Sequence, residues 1–151
     1  LETLNLRMQQ HVQNAKDLLE WLQAQDAVAW VNHPDLSHNP TVETASKLFP
    51  KGAGSMLSFG VKGGREAGAA FINALQLSSN LANVGDSRTL VLHPGSTTHS
   101  RLTEEELIAA GISGDMIRVS VGIESFADIK ADFASGLRAA AKRADQLAQQ
   151  A

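Results

Sequence analysis

The stretch Leu81–Ser100 reads LANVGDSRTLVLHPGSTTHS. Its only apolar run is Leu90-Val91-Leu92, and on both sides lie residues that bond their own backbone or tolerate unusual dihedrals: Asn83, Gly85, Asp86 and Ser87 before it, Pro94, Gly95, Ser96, Thr97 and Thr98 after it. Such side chains compete with helix and sheet for backbone groups, so this is a loop-rich segment and not a routine connector. Binding residues concentrate on loops of this kind.

Downstream, Thr103-Glu104-Glu105-Glu106 is a capping box and predicts a helix to about Ala110, stopped by Gly111. Met116–Val121 alternates as a strand, with Met116, Arg118 and Ser120 on one face and Ile117, Val119 and Val121 on the other. Gly122 ends it. From Ser125, a good N-cap type, Phe126, Ile129, Phe133, Leu137, Ala140, Ala144 and Leu147 keep one helical face apolar.

Upstream, Leu1, Leu4, Met8, Val12, Ala15, Leu18, Leu19 and Leu22 recur every three or four residues and predict a helix from about Leu1 to Gln23. A strand-like run, Ala27–Val31, closes on the Asn32-His33-Pro34 turn, and a short helix is expected over Thr41–Leu48. Ser55–Val61 alternates Met56, Ser58 and Gly60 against Leu57, Phe59 and Val61. Arg65–Leu75 has helical spacing, and Gln76–Leu81 fits strand or loop. The chain opens inside its first helical pattern without a methionine or an N-cap, which reads as a piece of a larger protein.

The 151 residues suit one hydrophobic core, and 43% hydrophobic with 19% charged residues is globular composition. A net charge of −3 without a basic stripe disfavours nucleic acid as a partner. There is no long apolar run to suggest a membrane partner, and no cysteine for a disulfide or thiolate site, in keeping with a cytoplasmic origin.

Arg118 stands out because it interrupts an apolar strand just before a glycine. A planar anion such as a carboxylate fits its fork. The structural alternative is an arginine in water or paired with an internal acid such as Glu124. The histidines His33, His38, His93 and His99 lie in loops at spacings that match no metal-ligand rule, so no metal site is expected. The glycines of Gly60–Gly68 fit neither nucleotide-loop template, and Ser96, His99 and Asp86 lack the elbow that would make a hydrolase triad.

Five pieces, LETLNLRMQQHVQNA, GSMLSFGVKGG, LANVGDSRTLVLHPGSTTHS, LTEEEL and IRVSVGIES, stand in an order and spacing that resemble the end of the Cys/Met-metabolism pyridoxal-phosphate enzymes. The resemblance spans essentially the whole chain. Within that family the NVGD and STTHS forms look most like the O-acetylhomoserine sulfhydrylases; its cystathionine synthases and lyases and methionine gamma-lyases are the alternatives, the lyases more often carrying SLGD and SMTHS. A non-catalytic binding or oligomerisation module is the reading from another class.

The resemblance implies an α+β fold: the small C-terminal domain of a type I PLP-dependent enzyme, with a mixed, largely antiparallel sheet and helices on one face. Residues 1–25 would be the linking helix from a large domain and residues 26–151 the small domain. It also implies that Arg118 grips the substrate α-carboxylate, that Asn83 helps through its main chain, and that Ser96, Thr97 and Thr98 lie near the substrate entrance. Gly95 stands where many relatives have alanine, which adds conformational freedom. The family's Schiff-base lysine, its pyridinium aspartate and its ring-stacking tyrosine belong to the large domain, and this chain has no tyrosine. Pyridoxal 5'-phosphate is therefore expected in a full-length parent, not on this chain alone, so no catalytic residue is expected here. The implied reaction replaces the acetate of O-acetylhomoserine with sulfide to give homocysteine. The parent is expected to be a homo-oligomer, a tetramer.

Overall fold

A computed structural model describes residues 1–150. Five strands form one sheet: β1 (Val28–Asn32), β2 (Met56–Val61), β3 (Ser79–Asn80), β4 (Leu90–Leu92) and β5 (Met116–Ser120), in the order β1-β2-β5-β4-β3. All pairings are antiparallel except β3 with β4, so the sheet is mixed and largely antiparallel as expected. The five helices are α1 (Leu4–Gln23), α2 (Val42–Leu48), α3 (Gly64–Asn73), α4 (Glu104–Ala109) and α5 (Phe126–Ala148). Among the described residues no helix is long and apolar enough to cross a membrane.

The strand alternation decides what each face does. Leu57, Phe59 and Val61 of β2, Val91 of β4, and Ile117 and Val119 of β5 join Leu18 and Leu22 of α1, Phe71 of α3 and Phe133 of α5 in one buried cluster. Helices α1, α3 and α5 therefore cover one face of the sheet. Phe71 is the hinge of this packing, its ring edge-on to Phe59 at 5.4 Å and to Phe133 at 5.5 Å between centroids.

The first helix departs from its sequence pattern. Leu1, Leu4 and Leu6 are exposed, and the buried face begins at His11 and Asn14 before passing to Ala15, Leu18, Leu19 and Leu22. The two polar residues are buried because the turn after β5 needs them. His11 Nδ1 bonds the Val121 carbonyl at 2.6 Å, and Asn14 Nδ2 donates to the Gly122 and Glu124 carbonyls at 3.0 and 2.9 Å. Left unpaired, the buried carbonyls of Val121 and Gly122 would each cost about 1 to 3 kcal/mol.

Helix ends are capped unevenly. At α4 both halves of the Thr103–Glu106 capping box form. Ser125, by contrast, makes no side-chain cap for α5; its carbonyl accepts the Asp128 and Ile129 N–H groups. Asp132 of α5 instead ends α3's chain excursion: its carboxylate accepts the N–H groups of Gln76, Leu77 and Ser78 at 2.7 to 3.1 Å. Burial alone would raise its pKa, but the three donors outweigh it and hold the carboxyl below its ordinary value.

Candidate functional site

Arg118 sits on the middle strand of the sheet, on the face away from the three helices. The register places it opposite Ser58 of β2 on one side and Leu92 of β4 on the other, with Asn32 of β1 next beyond Ser58. Directly opposite residues lie about 5 Å apart at Cβ, so Asn32, Ser58, Arg118 and Leu92 make one row across four strands. The pairing follows from the alternation: a one-residue slip of β5 would put the guanidinium into the aromatic core.

A cleft of ≈ 290 Å³ opens on this face. Its floor is Met56, Ser58, Met116 and Arg118, and its wall is Asn32 with the loop that carries His33, Pro34 and Asn39. Asn39 fastens the wall by donating to Asn32 Oδ1 and to the His33 carbonyl at 3.0 and 3.2 Å. Arg118 is half-buried here. Among the described residues the charged pairs are Arg88–Asp86 and Arg143–Glu66, and Asp35 lies beside the His33 ring at 3.9 Å, so the Arg118 guanidinium has no acidic partner. Glu124, the internal acid within sequence reach, is occupied elsewhere: its two carboxylate oxygens accept the N–H and hydroxyl of Thr89. An unmatched guanidinium at the floor of a cleft is a receptor for a bidentate anion, and a carboxylate is the planar match.

The other two implied residues are placed differently. Asn83 is exposed in the loop between β3 and β4, its side chain accepting the Val84 N–H at 2.9 Å. That loop approaches the Arg118 face at Ser120, whose hydroxyl accepts the Gly85 N–H at 3.2 Å. Thr98 is exposed beyond the short 3-10 turn Pro94–Ser96 and bonds only the ring of His99, at 2.8 Å. Neither Asn83 nor Thr98 lines the Arg118 cleft. Arg65 of α3 donates to the Gly95 carbonyl and, at 2.9 Å, to that of Ser100, so the loop is tied to α3 at both points.

The histidines are structural. His93 is fully buried and bonds Ser96 Oγ through Nδ1 and the Gly114 carbonyl through Nε2, both at 2.8 Å. Because a carbonyl only accepts, Nε2 carries the proton and Nδ1 accepts from the serine. His33, 2% exposed, accepts the Asp35 N–H at Nδ1. Burial lowers the pKa of both below the ordinary 6.5. Folding therefore favours their neutral forms. The stability they contribute is complete above about pH 6.5 and is lost as pH falls through the lowered folded values. Thermal unfolding followed from pH 7.5 to 5.5 should show a falling Tm; a flat profile would contradict neutral, buried rings. Among the described residues no group of three or more His, Asp or Glu is placed to hold a metal ion.

The architecture matches a known class. The fold is that found in type I PLP-dependent enzymes. A solved O-acetylhomoserine (thiol)-lyase from Campylobacter jejuni, which carries a pyridoxyl-lysine monophosphate, superposes with a TM-score of 0.82 at 39% identity, covering 91% of this chain and 32% of that one. Cystathionine gamma synthase from Xanthomonas oryzae superposes with a TM-score of 0.84 at 36% identity, covering 93% and 36%. Residues 1–138 match the model of the Cys/Met metabolism PLP-dependent enzymes, and the chain belongs to that family. Similar curated relatives are O-acetyl-L-homoserine sulfhydrylase 1 of Thermus thermophilus, 51% identical over 137 residues, and homocysteine synthase of Schizosaccharomyces pombe, 51% identical over 140 residues. These matches cover 91% and 93% of this chain but only 32% and 33% of the relatives, so the chain spans about a third of their length.

The residues present do not by themselves make a pyridoxal-phosphate site. The Arg118 cleft is lined by no lysine. Lys47 is exposed on α2 and away from that cleft's lining. Arg118 gives the cleft a cationic floor that suits a planar anion.

Proposed function

We propose that this chain is the substrate-carboxylate-binding part of an O-acetylhomoserine sulfhydrylase, an enzyme that makes homocysteine from O-acetylhomoserine and sulfide. Residues 1–25 are the link to a lysine-bearing large domain and residues 26–151 the small domain. The observation that carries the reading is the unpaired Arg118 guanidinium at the floor of a cleft on the face away from α1, α3 and α5. Arg118 binds the amino-acid carboxylate through two parallel N–H···O bonds, and the Asn83 main chain and the Thr98 loop border the same substrate. Fixing the carboxylate at one end sets where the rest of the amino acid lies relative to the groups that move its protons. Pyridoxal phosphate, held outside this chain, supplies the electron sink. The parent works in the cytoplasm as a homo-oligomer, a tetramer.

The resemblance to cystathionine gamma synthase supports a second reading in which the same carboxylate grip serves cystathionine chemistry. Assay of the full-length enzyme decides between them: homocysteine formation from O-acetylhomoserine and sulfide, exceeding formation of cystathionine from O-acetylhomoserine and cysteine, is the expected result, and the reverse preference would favour the second reading. The isolated chain should not take up pyridoxal phosphate at one lysine. Incubation, borohydride reduction and peptide mapping should find only weak, scattered labelling, and stoichiometric labelling of a single lysine would contradict the assignment.

A further inference from the structure

The loop that carries Asn83 is fastened to β5 and the turn after it more firmly than a connector needs. At its middle, Gly85 adopts φ +75°, a left-handed conformation that suits glycine, and donates its N–H to Ser120 Oγ at 3.2 Å. Ser120 is 2% exposed and shares a face with Arg118, two residues and so about 6.6 Å further along the strand. At the loop's end, fully buried Thr89 donates its N–H to Glu124 Oε1 at 2.6 Å and its hydroxyl to Oε2 at 2.9 Å. The same hydroxyl accepts the Gly122 N–H at 2.9 Å, and the Ile123 N–H donates to the Ser87 carbonyl at 2.8 Å. Loop and turn touch at backbone distance: a Cβ on Gly122 would stand 2.4 Å from Thr89 N and 2.5 Å from the carbonyl carbon of Arg88.

Strand pairing does not explain these bonds. The β4–β5 ladder already begins at Leu90 opposite Ser120, and the extra contacts all fall on the loop side of it. Both carboxylate oxygens of Glu124 and the one hydroxyl of Ser120 are spent on fixing residues 85–89. An arginine and a loop main chain can share one carboxylate only if the loop keeps its register to the arginine's strand.

We propose that Ser120, through Gly85, and Glu124, through Thr89, are positioning residues for the amino-acid carboxylate: they lock the Asn83 loop to the strand that bears Arg118. The proposal rests on the reading of Arg118 as the carboxylate receptor. Its test uses the full-length enzyme with O-acetylhomoserine and sulfide. Ser120→Ala should raise KM for O-acetylhomoserine about three- to tenfold, the range of one hydrogen bond, with a smaller change in kcat and none in KM for sulfide. Glu124→Gln, which keeps the side chain's volume, should move KM in the same direction. Hydrogen exchange of the peptide spanning residues 83–88 should quicken in both variants, and Ser120→Thr should restore the Ser120→Ala loss. An unchanged KM in both variants, while Arg118→Lys raises it, would overturn the positioning role and leave the Arg118 reading intact. A parallel rise in both KM values would overturn it too, as the mark of a general structural defect. An unchanged KM in Arg118→Lys would remove the reading on which the proposal stands.

Discussion

Arg118→Ala in the full-length enzyme is expected to weaken amino-acid substrate binding beyond the loss seen with Arg118→Lys, which should itself cost about 1 to 3 kcal/mol, the scale of a hydrogen bond to a charged group. Lysine keeps the charge but offers a point where the carboxylate needs a fork. A loss of 1.4 kcal/mol is tenfold in affinity, so the lysine variant should show KM raised roughly five- to 150-fold. Neither variant should unfold the domain, because the guanidinium has no ion-pair partner to strand: Glu124 is bonded to Thr89. The check is a pair of measurements, substrate KM and Tm. A normal kcat/KM in Arg118→Lys, or a large fall in Tm, would show Arg118 to be structural.

Phe71→Ala should have the largest effect on stability. Its ring is fully buried and lies edge-on to both Phe59 and Phe133, so truncation leaves a cavity between α3, α5 and β2 and breaks two aromatic pairs at once. The expected cost is about 3 to 5 kcal/mol, or a Tm lowered by roughly 6 to 20 °C for a chain of this size. Phe71→Leu, which fills most of the space, should cost less than half as much. Equal Tm values for Phe71→Ala and the parent protein would contradict the placement of this ring at the centre of the core.

Much of this architecture was legible because period and burial agree. The alternation of Met56–Val61 and of Met116–Val121 named the correct inward faces, and those faces are the ones that α1, α3 and α5 cover. The capping box at Thr103 was legible for a similar reason, since its four residues carry both halves of the interaction. Ser125 looked equally suitable as a cap, but its bonds to α5 come from its carbonyl, a choice made by the chain's path and not by the residue type.

The first turns of α1 show where periodicity misleads. Leu1 and Leu4 continue the apolar spacing into solvent, while the polar His11 and Asn14 are buried. Their partners, the carbonyls of Val121, Gly122 and Glu124, are more than a hundred positions away in the chain, and no local pattern announces them.

The site was half visible. Arg118 was conspicuous as a charge in an apolar strand, but its cleft is made by Ser58, Asn32 and the His33–Asn39 loop, which reach it only through the register of three strands. Glu124 is the acid nearest Arg118 on the C-terminal side of its strand. Its actual partner, Thr89, lies 35 positions back and across the turn, so the residue that could have neutralised Arg118 holds the neighbouring loop. Asn83 and Thr98 stand out through family likeness alone; their exposed positions carry no burial or charge signal.

The most direct test of the account is a crystal structure of the full-length enzyme with an O-acetylhomoserine analogue bound. The account predicts the analogue's carboxylate against Arg118 in a two-bond, fork-to-fork contact, with the Asn83 main chain beside it. A carboxylate held by other residues, with Arg118 paired to an acidic side chain, would contradict it.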